Sequence, residues 1–228
     1  MKIDVKQDVF SLNNVIAADN RALFNAKDIF TINIMGSPGA GKTTLLERLI
    51  VQICRQVSVA VIEGDLATAR DAQRIAAHDV PVIQINTDGG CHLDAEMIAK
   101  VVRGFDLDKT DLLLIENVGN LVCPATYDLG EDLRMVVLSI TEGEDKPGKY
   151  PIAFMEADIV ALNKMDLNDY LDIDTNNLIA DIVNIKPQIK IFPTSCRNGK
   201  IVGMDELAAY IIEAVKTKKQ DKILRGQA

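Results

Sequence analysis

The sequence lacks the features that mark secreted, membrane-bound and nucleic-acid-binding chains. Residues 1–6 carry no apolar segment of a signal peptide, and no stretch approaches the roughly 18 uninterrupted apolar residues of a membrane span. Lysine and arginine form no dense block before residues 216–222, and the formal net charge is −8. An acidic chain repels the phosphates of DNA and RNA. We therefore expect a cytoplasmic protein with no nucleic-acid partner and no membrane partner.

Cysteine is also scarce, and the chain contains only Cys54, Cys91, Cys123 and Cys196. In a reducing compartment these thiols are poor disulfide candidates, so each either fills the core or binds a metal. Cys54 falls on the apolar face of a predicted helix, which favours a structural role. Internal repeats, linkers and low-complexity tracts are absent too. A chain of 228 residues suits one substantial α/β domain, so we expect residues 1–228 to form a single domain.

Apolar runs that suit buried strands alternate along the chain with helical patterns. The runs cover residues 30–35, 57–62, 80–85, 112–115, 135–140, 159–162 and 189–192. The helical patterns cover residues 43–54, 67–77, 93–105, 174–183 and 204–217, and residues 1–28 are expected to form a helical lead-in. This alternation predicts an α/β fold with a mostly parallel, doubly wound sheet and helices on both faces. In such sheets ligands bind at the carboxyl ends of the strands.

One of these strand ends carries a complete phosphate-binding motif. Residues 36–43 read Gly-Ser-Pro-Gly-Ala-Gly-Lys-Thr, the G-x-x-x-x-G-K-[ST] pattern of a P-loop NTPase. The glycines let successive N–H groups converge on a phosphate at the positive end of the next helix. Lys42 adds a positive charge, and the hydroxyl of Thr43 can ligate Mg²⁺. The residues expected to bind the phosphates are Gly36, Gly39, Ala40, Gly41, Lys42, Thr43 and Thr44.

The base is indicated by the segment Asn163-Lys164-Met165-Asp166, which follows an apolar run. A carboxylate at Asp166 can accept hydrogen bonds from N1–H and the exocyclic amine of guanine. Adenine presents an acceptor at N1, so the same carboxylate would meet a lone pair. Asn163 would brace the loop or reach the base edge, and the stem of Lys164 would cover the ring. This N-K-x-D element resembles the guanine-recognition motif of GTPases, and it predicts GTP and GDP as ligands.

Acidic residues at two further strand ends predict a magnesium site. Glu116 closes the fourth strand, as a Walker-B acid does when it holds Mg²⁺ directly or through water. Gly119 can then present its backbone N–H to a γ-phosphate. Asp65 and Asp71 lie just past the second strand, and either can complete the Mg²⁺ shell or orient the attacking water. Two structural alternatives stay open, with Asp65 as a helix N-cap and Asp71 paired with Arg74.

A second chemistry is indicated by Cys91, His92 and Cys123. Cys91-His92 precedes a predicted helix and Cys123 follows the Walker-B strand, so both segments lie beyond the carboxyl ends of strands. Thiolates with imidazole suit Ni²⁺ or Zn²⁺ rather than Mg²⁺. A closed zinc site needs four ligands, and these residues supply three. A water molecule or a second subunit related by a two-fold axis would supply the rest. The alternative is that the cysteines are core residues and that His92 caps the next helix.

Together these elements resemble the HypB proteins, nickel-incorporation GTPases of hydrogenase maturation that belong to the SIMIBI class and are related to the urease accessory GTPase. The matching segments are residues 36–43, 63–65, 90–95, 116–124, 141–146, 150–151 and 163–166. The string Glu-Asn-Val-Gly-Asn-Leu-Val-Cys-Pro at 116–124 is the most diagnostic of them. Generic GTPases do not carry it.

The resemblance implies a slow GTPase that forms a homodimer, in which the nucleotide controls a metal site at the subunit interface. It makes Cys91, His92 and Cys123 the metal ligands. It also implies a nickel-chaperone partner and a hydrogenase large-subunit precursor as the recipient. In the family a lysine after a Thr-Glu-Gly element reaches the nucleotide of the partner subunit, and Lys149 matches it best, with Lys146 as the alternative. The residues expected to take part in hydrolysis are Lys42, Asp65, Asp71 (the match to the switch I acid), Glu116 and Lys149.

The chain departs from the family pattern in two places. Residues 1–35 contain neither cysteine nor histidine, so the N-terminal nickel motif and the histidine-rich stretch of some members have no counterpart there. The interface cluster is therefore the expected transition-metal site. The second departure is Ser195-Cys196-Arg197, where GTPases often carry Ser-Ala-Lys. These three residues are expected to border the base, and Cys196 in place of a small apolar residue is expected to alter base affinity.

Three other functions compete with this interpretation. An ATP-driven partitioning or targeting ATPase shares the fold, but such proteins usually carry an extra lysine early in the phosphate loop, where this chain has Ser37, and they lack N-K-x-D. A dimeric metal-binding scaffold would use nucleotide only to set dimer affinity. A urease-type accessory GTPase would deliver nickel to a different enzyme.

Overall fold

A sheet of seven parallel strands forms the centre of the molecule. The computed structural model describes residues 5–65, 70–197 and 200–225. Its strands are β1 (Phe30–Met35), β2 (Val59–Asp65), β3 (Val82–Asn86), β4 (Leu112–Glu116), β5 (Leu133–Ser139), β6 (Ile159–Asn163) and β7 (Lys190–Pro193), with β8 (Ser195–Arg197) and β9 (Lys200–Val202) as a separate antiparallel pair. The sheet order is β3-β2-β4-β1-β5-β6-β7, with every pair parallel. The predicted parallel, doubly wound sheet is therefore confirmed.

Helices cover both faces of this sheet, as expected. They are α1 (Val5–Ala26), α2 (Lys42–Ile53), α3 (Arg70–Ala76), α4 (Ala95–Val101), α5 (Lys146–Lys149), α6 (Pro151–Glu156), α7 (Thr175–Ile185) and α8 (Met204–Arg225). One face carries α2 and α8. The other carries α6 and α7 over one half of the sheet and α1 and α4 over the other half. Of the helices in the described ranges, none is long and apolar enough to cross a lipid bilayer.

The apolar runs predict the central strands well because these strands are buried on both faces. In β4, Leu112 and Leu114 belong to the core beneath α2 and α8, whereas Leu113 and Ile115 belong to the core on the opposite face. All four side chains are at most 1% exposed. A strand covered on both sides needs an apolar residue at every position, so its sequence shows an unbroken run rather than an alternating pattern.

The lead-in expected over residues 1–28 is the long helix α1, with residues 1–4 outside the described part. Near its end Phe24 is fully buried. The side-chain amide of Asn20 donates to the carbonyls of Ala95, at 2.9 Å, and Leu129, at 3.1 Å, which anchors α1 beside α4. The helix expected over residues 67–77 begins in the structure at Arg70, and its first predicted residues fall in the undescribed segment 66–69.

The strand order places one crevice at the carboxyl edge of the sheet. On one side of β1 the strands follow in the order β4, β2 and β3, and on the other side in the order β5, β6 and β7. Ligands of doubly wound proteins bind where the order reverses in this way. The loop between β1 and α2 leaves the sheet at this reversal, so the phosphate motif lies where the fold favours a ligand.

Candidate nucleotide and metal site

The phosphate motif forms a tight loop between β1 and α2. Gly41 is the N-cap of α2 and has φ 94°, in the left-handed region that favours glycine. A Cβ atom there would also lie 2.6 Å from Nδ2 of Asn163, so the sequence needs glycine for two reasons. Lys42 is 8% exposed, and its Nζ donates to the carbonyl of Gly36 at 3.3 Å. The loop is thus held closed by its own lysine.

A cavity of about 530 Å³ lies above this loop. Its lining includes many of the residues singled out from the sequence, namely Gly39, Gly41, Lys42, Thr43, Thr44, Asp65, Asp71, Glu116, Gly119 and Lys164. A larger cavity, of about 880 Å³, opens at the amino ends of β1, β5, β6 and β7, away from every residue predicted for the site. Only the smaller one combines a phosphate loop with acidic strand ends, which is the arrangement that nucleotide chemistry requires.

The N-K-x-D segment packs directly on the phosphate loop. Nδ2 of Asn163 donates to the carbonyl of Ala40 at 3.0 Å, and Nζ of Lys164 donates to the carbonyl of Gly39 at 2.7 Å. Asn163 therefore braces the loop, as one of its two predicted roles requires. Asp166 lies one turn further, where Oδ1 accepts a 2.8 Å hydrogen bond from Oγ of Ser195. This bond orients the carboxylate, which can still accept further hydrogen bonds from a base.

The other predicted base-side residues lie on the hairpin strand β8. Cys196 is half-buried, and its Sγ lies 3.8 Å from Oδ1 of Asn163 and 3.9 Å from Sδ of Met204. Burial raises the pKa of the Cys196 thiol to about 11, so it stays protonated at neutral pH. Arg197 is exposed at the end of β8. Cys196 thus touches the loop that would hold the base.

The acidic end of the cavity is built from two neighbouring strands. Oγ1 of Thr43 donates to Oε1 of Glu116 at 2.8 Å, and Glu116 is 3% exposed. Burial raises the pKa of Glu116 to about 7, with Lys42 and the Thr43 hydroxyl opposing the rise. Burial also raises the pKa of Glu63, to about 8, and the nearby Glu116 adds to that effect.

This acidic end fits Mg²⁺. Glu116 Oε2 and Glu63 Oε2 are both buried and have no hydrogen-bond partner within the described ranges. A hydroxyl and carboxylates are the hard oxygen ligands that Mg²⁺ prefers, and the ion usually keeps several water molecules. Unpaired carboxylate oxygens in a buried cavity are costly, and a cation would remove that cost.

Asp65, at the end of β2, and Asp71, after it, both line the same cavity. Asp71 is in the first turn of α3 and pairs with Arg74 at 3.1 Å, as one structural alternative expects. Arg74 in turn pairs with Glu47 at 2.6 Å and donates to Oγ1 of Thr44 at 2.9 Å. Asp65 is the last residue of β2, and its alternative role as an N-cap depends on residues 66–69, which lie outside the described part.

Cys123 joins the neighbouring Cys91 and His92 in one cluster although it lies about thirty residues further along the chain. Their donor atoms all lie within 4.8 Å of one another. Sγ of Cys91 is 3.0 Å from Sγ of Cys123 and 3.6 Å from Nδ1 of His92. The ring of His92 stacks on Tyr127 with a centroid separation of 3.9 Å. Burial lowers the pKa of His92, which favours the neutral imidazole that metals bind.

The thiol of Cys91 affects the protonation of the Cys123 thiol. Hydrogen bonding with Cys91 raises the pKa of Cys123, because the shared proton favours the protonated form. A metal would replace that proton, since thiolate is the form that coordinates. The donor set of two sulfur atoms and one imidazole suits Ni²⁺ or Zn²⁺.

The phosphate loop and the metal cluster are joined by residues 117–120. The backbone of Gly36 forms an antiparallel bridge with Asn120, and Nδ2 of Asn120 donates to the carbonyl of Cys91 at 3.2 Å. Oδ1 of Asn117 accepts from the backbone N–H of Leu93 at 3.0 Å. One short segment therefore touches both sites.

The two candidate lysines after the Thr-Glu-Gly element have different neighbours in the structure. Nζ of Lys146 donates to Oγ of Ser37 in the phosphate loop at 3.3 Å and pairs with Glu142 at 3.3 Å. Lys149 lies at the other end of α5, is 62% exposed, and pairs with Asp145.

Several residues of the site were not singled out from the sequence, and one expectation was wrong. Glu63 was recognised only as part of a matching segment, although strand alternation places it on the same face as Asp65. Asn117 and Tyr127 gave no separate signal, because an amide and a phenol near a motif are common. Cys54 was expected on the apolar face of the first helix, but it is exposed at the C-terminal cap of α2, one residue past the buried Ile53.

The fold, the phosphate loop and the N-K-x-D segment define a P-loop nucleotide-binding protein of the GTPase kind. Comparison with known proteins narrows the class. A family model described as the CobW/HypB/UreG nucleotide-binding domain matches residues 30–193. The hydrogenase maturation factor HypB of Azotobacter vinelandii is 47% identical over 226 residues, which cover 98% of this chain and 74% of that protein.

Two solved structures are also similar. The HypB structure from Archaeoglobus fulgidus gives a TM-score of 0.84 at 36% identity, covering 90% of this chain and 99% of that one. The structure of Helicobacter pylori HypB in complex with nickel gives 0.83 at 37% identity, covering 90% of this chain and 95% of that one. The chain therefore belongs to the CobW/HypB/UreG family, within its HypB group.

Proposed function

We propose that this protein is a GTP-hydrolysing nickel metallochaperone of hydrogenase maturation. GTP brings two subunits together, and Cys91, His92 and Cys123 of each subunit meet across a two-fold axis to share the metal. Hydrolysis to GDP and phosphate separates the subunits and releases the metal toward a hydrogenase large-subunit precursor, with a nickel chaperone as a further partner. The names of its relatives and the nickel-bound homologue support this proposal.

The observation that carries the proposal is the connection between the two sites. Asn120 bonds through its backbone to the phosphate loop and through its side chain to the carbonyl of Cys91. A Cβ atom on Gly119 would lie 3.0 Å from a side-chain atom of Pro38, so this segment also packs tightly on the loop. A γ-phosphate that draws the N–H of Gly119 toward it would therefore displace the segment that supports the metal cluster.

The chain supplies the groups that hydrolysis needs. Thr43 and Glu116 would hold Mg²⁺, with Asp71 as a further ligand, and the ion would neutralise charge on the transferred phosphoryl group. Lys42 contributes a fixed positive charge at the β- and γ-phosphates. Asp65, at the end of β2, is assigned to the attacking water. Asp166 accepts hydrogen bonds from guanine while Ser195 orients it.

The test is a measurement of thermodynamic linkage. Ni²⁺ and Zn²⁺ are titrated into the protein with a GTP analogue, with GDP and without nucleotide, while sedimentation reports the dimer. We expect the GTP analogue to raise metal affinity by roughly 5- to 150-fold, and the metal to raise analogue affinity by the same factor. Cys123→Ala should abolish this linkage. Equal metal affinity in all three conditions, or linkage that survives Cys123→Ala, would contradict the interface proposal.

A second candidate function is a metal-binding scaffold in which nucleotide sets only dimer affinity. It is favoured by the assembly of all three donors within one subunit. Single-turnover release of bound metal separates the two functions. Faster release with GTP than with a non-hydrolysable analogue supports a chaperone driven by hydrolysis, whereas equal release supports the scaffold.

A further inference from the structure

Glu63 occupies a defined place beside the Walker-B acid. It lies on β2, and its Cα is the register partner of Glu116 on the neighbouring strand β4. Register partners on adjacent parallel strands project to the same face, and the strands lie about 4.8 Å apart. Both side chains line the nucleotide cavity next to Thr43. Two carboxylates therefore stand side by side at the place where Thr43 meets Glu116.

The ionised form of this buried pair requires a positive partner. Glu63 is 2% exposed and Glu116 is 3% exposed. Oε2 of each is buried and lacks a hydrogen-bond partner among the residues that the structure describes. Lys42 lies close enough to favour the ionised form of both, but its Nζ donates to the carbonyl of Gly36. When both carboxylates are ionised, the lysine that faces both of them leaves part of their negative charge uncompensated in a buried cavity.

We infer that Glu63 is a second carboxylate for the Mg²⁺ of the nucleotide site, accepting hydrogen bonds from water molecules that the ion retains. Mg²⁺ commonly keeps several waters when protein and phosphates supply its other ligands, and those waters need acceptors. Glu63 is thus a positioning residue that sets metal affinity, while Thr43 and Glu116 would hold the ion directly. The inference rests on the proposed nucleotide function, and it adds a residue to that site.

The competing explanation is that Glu63 is an uncharged acid that only fills space. Glu63→Gln distinguishes the two, because glutamine has the same size and hydrogen-bonding reach without the negative charge. Glu63→Asp is the complementary variant, since it keeps the charge and shortens the side chain by one methylene. Glu96→Gln removes one negative charge from an exposed pair with Lys100 on α4 and serves as the control.

Mn²⁺ is the probe, and its binding to the GDP-bound protein is followed by electron paramagnetic resonance. GDP affinity is measured in parallel in EDTA, where the metal plays no part. We expect Glu63→Gln to weaken Mn²⁺ binding by roughly 10- to 100-fold, the range for loss of groups that support metal ligands. Its GDP affinity in EDTA should be unchanged or higher, which also shows that the variant is folded. Glu63→Asp should retain most of the Mn²⁺ affinity, and Glu96→Gln should match the unaltered protein.

The possible results distinguish a failure of the Glu63 inference from a failure of the proposed function. Unchanged Mn²⁺ affinity in Glu63→Gln would overturn the inference, and so would an equal loss in Glu63→Gln and Glu63→Asp, because an equal loss reflects packing rather than charge. If the unaltered protein binds no guanine nucleotide, the proposed function itself fails. If it binds nucleotide with Mn²⁺ and Glu63→Gln has no effect, only the role of Glu63 fails.

Discussion

At the scale of single residues, the proposed guanine selectivity rests on the carboxylate of Asp166. Asp166 is held by Oγ of Ser195 at 2.8 Å, so its orientation is fixed before a base arrives. The sequence predicted this role because N1–H and the exocyclic amine of guanine are both donors. The orienting hydrogen bond from Ser195 could not be predicted, since it joins two residues 29 positions apart.

Asp166→Asn should therefore weaken GTP binding by roughly 10- to 100-fold, because hydrogen bonds to a charged group contribute about 1.5–3 kcal/mol. The same change should admit xanthosine triphosphate, whose 2-oxo group accepts from the new amide. Competition binding with a fluorescent GDP measures both effects. Asp169→Asn, at an exposed aspartate of the same turn, is the control. Competition by ATP as strong as by GTP against the unaltered protein would refute guanine selectivity.

At the scale of elements, the sequence predicts the helices that are long and the strands that are buried on both faces. The central strands, such as β4 and β6, follow from nearly unbroken apolar runs, because burial on both faces leaves no alternation. The edge strands β3 and β7 are only partly buried, and polar residues interrupt their runs. The helices α5 and α6 are too short for a periodic pattern, and each has a proline near its start. The β8 and β9 pair consists of three-residue strands, which carry no usable periodicity.

Much of the candidate site was also predictable, because its motifs follow strands and parallel strands end at one edge. The approach of Cys123 to Cys91 follows from that rule. The contacts that join the phosphate loop to the metal cluster do not. They depend on the side-chain directions of Asn117 and Asn120, which tertiary packing determines and local sequence does not.

Packing between β2 and the metal loop gives a prediction at this scale. A Cβ atom on Gly64 would lie 2.8 Å from Cδ1 and 2.9 Å from Cγ of Leu93, which follows His92 directly. Gly64→Ala should therefore push Leu93 away, lower the free energy of unfolding by about 1–3 kcal/mol, and weaken metal binding. Urea unfolding and a Zn²⁺ titration measure the two effects.

The matched control for this substitution is Gly148→Ala. Gly148 lies in α5, where an added Cβ meets nothing within 4 Å. Alanine there should raise the free energy of unfolding by about 0.4–1 kcal/mol, because an unfolded chain with alanine has fewer conformations to lose than one with glycine. If both variants have the same stability and the same metal affinity, the contact between Gly64 and Leu93 does not support the metal loop.

At the scale of the whole molecule, the two ends of α5 serve different subunits in the proposed dimer. Lys146 is 20% exposed and its ammonium contacts Ser37 and Glu142 of its own chain. It also lies over the ring of Tyr150 at 4.9 Å. Lys149 is 62% exposed and pairs with Asp145, which is 61% exposed. The geometry thus favours Lys146 for the nucleotide of its own subunit and Lys149 for the nucleotide across the interface.

Two substitutions test this division. Lys146→Ala should weaken GTP-analogue binding at protein concentrations where the subunits are separate, because it removes a positive charge that contacts the phosphate loop. Lys149→Ala should leave that affinity unchanged, since its exposed side chain pairs with Asp145 and lies at the other end of α5 from the lysine that contacts Ser37. At higher protein concentration, sedimentation with the analogue should show that Lys149→Ala no longer forms the dimer. Loss of monomer affinity in Lys149→Ala, with dimerisation intact, would assign the two lysines the other way round, because a residue that reaches only the partner cannot change binding to a separate subunit.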